Sequence, residues 1–222
     1  MKPQAEPFAR LFEALPDGIA LQATSAFINL SSEYEQEEAY IAKAVDKRKK
    51  EFRTGRYTAR RALKALGIPA CAIPAGPNRE PLWPAGVVGS ISHCDTLCIA
   101  VVASSERYQS LGVDVEPNRP LPDDVRSMVF SYEEQHPGSE GIPEHLDTLT
   151  FSAKESVFKC AFPLTGYYFD FNEVSLIIDE ENRSFTATLP ERITHDASLK
   201  TVSGQYTITE EFVFTLAFII ND

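Results

Sequence analysis

Asp114, Glu116 and Glu155, with Lys159 and His93, carry the chemistry that stands out in this chain. Asp114 and Glu116 are two apart in Gly112-Val113-Asp114-Val115-Glu116. In a strand that spacing puts both carboxylates on one face and Val113 and Val115 on the other. Glu155 lies in Phe151-Ser152-Ala153-Lys154-Glu155-Ser156-Val157-Phe158-Lys159. Read as a helix, at about 100° per residue, this stretch aligns Phe151, Glu155, Phe158 and Phe162, with Lys159 one turn beyond Glu155. A carboxylate inside an aromatic stripe is unfavourable unless a cation compensates it. The pair can be a solvated Glu-to-Lys contact contributing a few tenths of a kcal/mol. It can equally be a carboxylate turned toward charged partners. Hard oxygen donors suit Mg²⁺, which keeps waters and completes its shell with substrate phosphates. Acidic ligands with Lys159, His93 and several arginines form an inventory for holding a diphosphate and transferring a phosphoryl-type group. An isolated D-x-E pair would ordinarily be a solvent-facing strand edge. Like charges repel, so removing Asp114 is expected to leave the metal-free fold intact or steadier. There is no glycine-rich phosphate loop of the Walker type, which excludes an ordinary P-loop ATPase.

The basic segment upstream favours the ligand reading. Residues 43 to 64 hold ten Lys or Arg against Asp46 and Glu51, on a chain whose net charge is −11. A cationic island on an acidic protein fits a compact polyanion, such as a phosphorylated cofactor, and the overall balance argues against nucleic acid. Lys49, Arg53, Arg56 and Arg60 fall on one flank of a helical stripe made by Val45, Phe52, Ala59, Leu63 and Leu66. That flank is either a solvated face or the wall of a binding site.

The elements that must position these groups follow from periodicity and punctuation. Pro7 to Leu15 reads as a short helix, Gly18 to Leu30 as one or two strands, and Glu35 to Leu66 as one long helical region stopped by Gly67-Ile68-Pro69. Residues 70 to 86 are rich in Pro and Gly and form turns around Arg79 and Trp83, the latter a packing anchor. Val87 to Ser92, Leu97 to Ala103 and Ser110 to Glu116 read as strands, with His93 at the turn between the first two. Leu121 to Phe130 is a helix whose Leu121, Val125, Met128 and Val129 form either core or a docking face. Glu133 to Leu149 reads as loop. The Phe151 helix is expected to end at Pro163. Four antiparallel strands follow, at Val174 to Asp179, Ser184 to Leu189, Lys200 to Ile208 and Phe212 to Ile220. Two halves, 1–110 and 111–222, each a helix followed by strands, predict an α+β chain.

The chain of 222 residues, 43% of them hydrophobic, is long enough for a sizeable core. Nothing approaches the roughly 18 consecutive apolar residues of a membrane span. The N-terminus lacks the apolar core of a signal peptide. Cys71, Cys94, Cys98 and Cys160 show no paired C-x-x-C spacing, so no zinc site is read and reduced thiols in a cytoplasm are expected.

Gly112 to Glu116 followed by Phe151 to Lys159 resembles the signature pair of the 4′-phosphopantetheinyl transferase superfamily. RKKEFRTGRYTARRAL at 48 to 63, NREPLWP at 78 to 84 and GSISHC at 89 to 94 are similar to its enterobactin-synthase-component-D-like, surfactin-type branch. Together these motifs span about residues 45 to 160 in matching order. The wider family often has Trp where Phe151 stands, a change to an aromatic packing residue and not to a ligand. The resemblance implies two pseudo-symmetric α+β subdomains, each a helix packed on an antiparallel sheet, with the active site in the cleft between them. It implies Asp114, Glu116 and Glu155 as Mg²⁺ ligands, and His93 and Lys159 on the phosphates of coenzyme A. Arg53, Arg60 and Arg79, with Ser92, match positions around the nucleotide. Glu134 matches a position tied to metal binding or proton transfer. The implied reaction moves 4′-phosphopantetheine from coenzyme A to a serine of an apo carrier domain of a nonribosomal peptide, polyketide or fatty acid synthase, and releases 3′,5′-ADP. Glu155, Lys159 and His93 would be the catalytic groups of a cytoplasmic, monomeric enzyme of siderophore or secondary-metabolite synthesis. Two other readings of the residues stay open: a metal-dependent phosphohydrolase acting on a nucleotide diphosphate, and a non-catalytic coenzyme A binding protein. A scaffold of the latter kind would need no metal triad.

Overall fold

The computed structural model describes residues 15–130, 134, 146–194 and 199–221. The chain divides into two compact units, Met1–Arg107 and Tyr108–Asp222. Each is α+β, a long helix laid on an antiparallel sheet.

In the first unit, β1 (Ile19–Thr24), β2 (Val87–His93) and β3 (Cys98–Ser104) form a three-stranded sheet in the order β1-β3-β2. The central strand β3 is buried from Cys98 to Ala103, because it has a neighbour on each side and a helix against it. Only Ile19–Thr24 of the stretch expected to hold one or two strands is extended in a sheet. The helix expected at Pro7 to Leu15 lies, apart from Leu15, outside the described residues.

The helical region expected over Glu35 to Leu66 is two helices, α1 (Glu35–Ile41) and α2 (Asp46–Ala65). The break falls at Val45, which is extended (φ −68°, ψ 157°) as the residue preceding α2. Val45 therefore leaves the helical phase of the apolar stripe and is 72% exposed. Ala59 and Leu63 keep that phase and pack with Ile73, Val87, Ala100 and Val102. Trp83 is half-buried against this cluster, and its ring lies over Gly89, where any β-carbon would meet it.

In the second unit, five strands run in the order β4-β8-β7-β6-β5: β4 (Tyr108–Pro117), β5 (Ser175–Asp179), β6 (Ser184–Thr188), β7 (Thr201–Ile208) and β8 (Phe212–Ile220). A short helix, α3 (Asp123–Val129), follows β4 and is one turn shorter than expected, since Pro120 and Pro122 hold the preceding backbone out of the α region. Its apolar positions separate: Val129 is buried, while Met128 is 62% exposed.

The long helix α4 (Asp147–Thr165) packs on the sheet with Leu149, Ala153, Val157, Cys160 and Ala161 turned to Ala187, Val202 and Ala217. It runs past Pro163 instead of ending there. A proline so near the terminus forfeits one backbone hydrogen bond, and the stop comes at Gly166. Gly166 is left-handed (φ 68°) and donates its N–H to the Phe162 carbonyl at 2.8 Å. Among the described residues no helix is long and apolar enough to cross a membrane.

Candidate active site

Gly112 sets the distance between β4 and α4. A β-carbon there would collide with the Ser156 carbonyl and lie 2.6 Å from the Cys160 amide nitrogen. With Gly112 facing the helix, the period of two turns Asp114 and Glu116 the same way. The acidic face of β4 is thus covered by α4 and is not the solvent edge of an ordinary D-x-E pair. Asp114 is 2% exposed. Ser152 Oγ donates to Asp114 Oδ2 at 2.9 Å, and Thr215 Oγ1 donates to the Ser152 carbonyl at 2.8 Å.

Lys159 reaches across to this face. Its Nζ is 2.7 Å from Asp114 Oδ1 and 3.7 Å from Glu155 Oε2. The stronger contact is with the strand carboxylate, 45 residues away in sequence, and not with the helical neighbour four residues back. Removing Asp114 would therefore take the nearer counter-charge from a partly buried ammonium and leave it Glu155 at 3.7 Å, so Asp114 is a paired carboxylate and not the unpaired one whose loss was expected to steady the metal-free fold.

The electrostatics follow from crowding. Burial first, then the Asp114 charge, pushes Glu116 up to about 7, against the opposing pull of Lys159. Burial also raises Glu155, with Lys159 acting in the other direction. Lys159 would be lowered by burial, but Asp114, Glu155 and Glu116 outweigh it and hold its pKa above the ordinary value. Three carboxylates around one ammonium leave an excess of negative charge and oxygen donors of the kind a hard divalent cation takes. The donor set therefore fits Mg²⁺, although among the described residues no three His, Cys, Asp or Glu side chains converge as a finished metal cage.

The residues matched to the coenzyme A phosphates and nucleotide, other than Lys159, lie in the first unit. His93 ends β2, and its Nε2 is 3.8 Å from Glu51 Oε2 on α2. Ser92, next to it, is buried. Glu51 also lines a cavity of about 280 Å³ with Ser25, Phe27, Lys47, Lys50 and Asp95. Arg53 and Arg60 are gripped by α1. Arg53 donates through Nε and Nη2 to Glu38 (2.9 and 2.6 Å) and through Nη1 to the Asn29 carbonyl (3.1 Å). Arg60 Nη1 donates to Glu37 Oε1 at 2.7 Å, and its guanidinium stands 4.8 Å from the Tyr34 ring centroid. Arg56 is buried over the Phe52 ring at 4.2 Å, donates to the Ile73 carbonyl, and is lowered by that burial to about 10. The basic flank thus divides into an interior strut and side chains oriented by carboxylates. Arg79 is exposed on a left-handed turn (φ 72°) closed by Gly76 and Glu80.

Sequence reasoning missed the groups that hold these residues: Ser152 and Thr215 behind Asp114, and Glu37 and Glu38 behind the arginines. Glu37 is the most telling, being 1% exposed and also accepting from the Ile73 amide at 2.8 Å and from Ser32 Oγ. An acidic pair directly ahead of a basic helix was the available signal. Cys98 and Cys160 are buried, and burial pushes both thiols up to about 12, so neither is a ready nucleophile.

Family models match both halves of this α+β chain. Residues 36–103 match the 4′-phosphopantetheinyl transferase N-terminal domain, and residues 110–217 match the 4′-phosphopantetheinyl transferase superfamily. The chain belongs to that superfamily, and it is a 4′-phosphopantetheinyl transferase. It is similar to 4′-phosphopantetheinyl transferase Svp of Streptomyces mobaraensis, 42% identical over 189 residues that cover 82% of this chain and 76% of the relative. It is 34% identical to 4′-phosphopantetheinyl transferase PptT of Mycobacterium tuberculosis (strain ATCC 25618 / H37Rv), over 81% of this chain and 83% of that one. Enterobactin synthase component D of Escherichia coli (strain K12) is 36% identical over 66% of this chain and 74% of its own. The family draws the transferred group from coenzyme A and places it on carrier proteins.

Proposed function

We propose that this enzyme is Mg²⁺-dependent and modifies a serine on apo carrier domains of nonribosomal peptide, polyketide or fatty acid synthases. The observation that carries the reading is the Asp114, Glu116, Glu155 and Lys159 group, an over-acidic cluster holding one buried-side ammonium. Asp114, Glu116 and Glu155 would hold the metal, which when bound neutralises charge on the diphosphate oxygens. The likeness to a protein named enterobactin synthase component D supports carriers of siderophore synthesis among the substrates.

The chain's own residues do the rest. Lys159 brings its ammonium to the phosphates, as does the imidazole of His93. Ser92, Arg60 and Arg79 contact the nucleotide, and Arg53 adds charge beside them from within its pair with Glu38. The carrier serine oxygen attacks the pantetheine-linked phosphorus. The bond from that phosphorus to the bridging oxygen breaks, and 3′,5′-ADP leaves with the electron pair. A carboxylate oxygen of Glu155 accepts the serine proton.

The test is mass spectrometry of a panel of apo carriers incubated with enzyme, coenzyme A and Mg²⁺. Each modified carrier gains about 340 Da, the mass of one phosphopantetheine arm. Release of 3′,5′-ADP without any carrier gaining mass would replace this reading with a phosphohydrolase. Undiminished transfer in the presence of a chelator would remove the metal from it.

A further inference from the structure

Lys154 immediately precedes Glu155 in the motif, yet it faces elsewhere. Its side chain is 0% exposed. Nζ donates to the Val129 carbonyl at 2.9 Å and to Glu134 Oε2 at 2.7 Å. Val129 closes α3, so one ammonium ties the end of α3 and the following chain to α4. A second charged contact works on the same pair of helices: Arg126 Nε donates to Asp147 Oδ2 at 2.6 Å, with its guanidinium 4.8 Å from the Phe130 ring centroid. Thr148 Oγ1 adds a hydrogen bond to the Arg119 carbonyl at 2.6 Å. Successive helical residues diverge by about 100°. Lys154 can therefore serve α3 while Glu155 stays with Lys159.

The Glu134 side chain is 10% exposed, and its ion pair is with an ammonium that has no route to water. Taking that carboxylate's charge away would leave the enclosed Lys154 side chain the neutral Val129 carbonyl in place of its 2.7 Å ion pair, and so loosen the tie between α3 and α4. We infer that Lys154 and Glu134 are a positioning pair, holding α3 against the helix that carries Glu155, and that Glu134 does not take the proton of the acceptor serine. This narrows the role that family resemblance attaches to Glu134, and for the reaction itself it rests on the transfer reading above.

The experiment uses the full chain with coenzyme A, Mg²⁺ and an apo carrier that the wild type modifies. Glu134→Gln, Lys154→Met, Lys154→Arg and the Glu134→Gln/Lys154→Met double variant are compared by kcat, KM for each substrate and the pH profile of kcat/KM. The expected result is a loss of about tenfold in kcat/KM for the carrier in either single variant, the range seen when outer-shell partners of a site are removed. The double variant should lose no more than the singles, Lys154→Arg should restore most of the loss, and the acidic limb of the profile should stay in place in Glu134→Gln. Disappearance of that limb in Glu134→Gln, or multiplying losses in the double variant, overturns the inference. If Lys154→Met does not fold, Glu134→Gln and Lys154→Arg decide it by the same limb and rescue. If the wild type modifies no carrier, the transfer reading fails instead. The pair is then judged by unfolding alone: non-additive changes on substituting residues 134 and 154 support it, and additive ones overturn it.

Discussion

Asp114 has two duties that pull in different directions. It carries charge for the site, and it neutralises Lys159 at 2.7 Å while accepting from Ser152. Asp114→Ala should therefore abolish most transfer and also destabilise the protein, by about 2–3 kcal/mol when discounted for the partly exposed lysine. Asp114→Asn, which retains the Ser152 contact, should lose transfer as severely with a smaller loss of stability. Denaturant titration beside the carrier assay checks both, and a fully active Asp114→Asn enzyme would take this residue out of the metal set. Arg79 offers the opposite separation. Its φ of 72° is strained for a residue with a side chain, and glycine relieves roughly 1 kcal/mol of it. Arg79→Gly is expected to melt at a higher temperature and bind coenzyme A more weakly. Unchanged calorimetric affinity would place the nucleotide elsewhere.

At the scale of elements, the approach of β4 to α4 depends on one hydrogen atom at Gly112. Gly112→Ala sets a methyl against helix backbone, which cannot swing aside as a side chain can, so a loss of about 1–3 kcal/mol or more is expected. Because Lys159 and Asp114 sit on these two elements, the same variant should lose transfer out of proportion to its unfolded fraction. The α1 to α2 contact makes a pH prediction. The Arg53 hydrogen bonds hold the Glu38 carboxyl below its ordinary value of 4.5. A carboxyl lowered by folding adds stability that is complete above the unfolded value and fades as pH falls through the folded one. Urea titrations should show Glu38→Gln less stable than wild type at pH 7 by about 0.5–1 kcal/mol, with the gap closing as pH falls below the ordinary carboxyl value and through the lowered folded one. A gap independent of pH would mean that packing, not charge, joins these helices.

For the whole molecule, the charge distribution and the ligand set lead to a linked prediction. A ligand present at a hundredfold excess over its Kd stabilises the folded state by about 2.7 kcal/mol. Coenzyme A with Mg²⁺ should raise Tm, coenzyme A with a chelator should raise it less, and the Asp114→Asn variant should respond equally to both. The chain is acidic overall, yet residues 43 to 64 are strongly basic. Salt should therefore weaken coenzyme A binding, and less steeply than for charges lying wholly in solvent. Affinity indifferent to salt would deny the basic segment a part in binding.

Local patterns decided much in advance. Alternation in Gly112 to Glu116 and a period near 3.6 in the Phe151 stretch identified β4 and α4, since both signals are carried by neighbouring residues. The same patterns marked Asp114, Glu116, Glu155 and Lys159 as a set, and the motif order marked the family. Other features appeared only on folding, for three physical reasons. An ion pair depends on direction and distance, so spacing suggested Glu155 for Lys159, which the fold keeps at 3.7 Å, while the nearer partner, Asp114 at 2.7 Å, came only with the fold. Helical phase survives only while the helix does, so the break at Val45 expelled one member of an apparently continuous stripe. Burial is a property of the packed chain. Only an acidic pair ahead of a basic helix hinted at Glu37, and nothing local distinguishes Lys154 from a solvated side chain, because partners that make them interior residues lie 20 or more positions away: Arg60 and Ile73 for one, Glu134 and Val129 for the other.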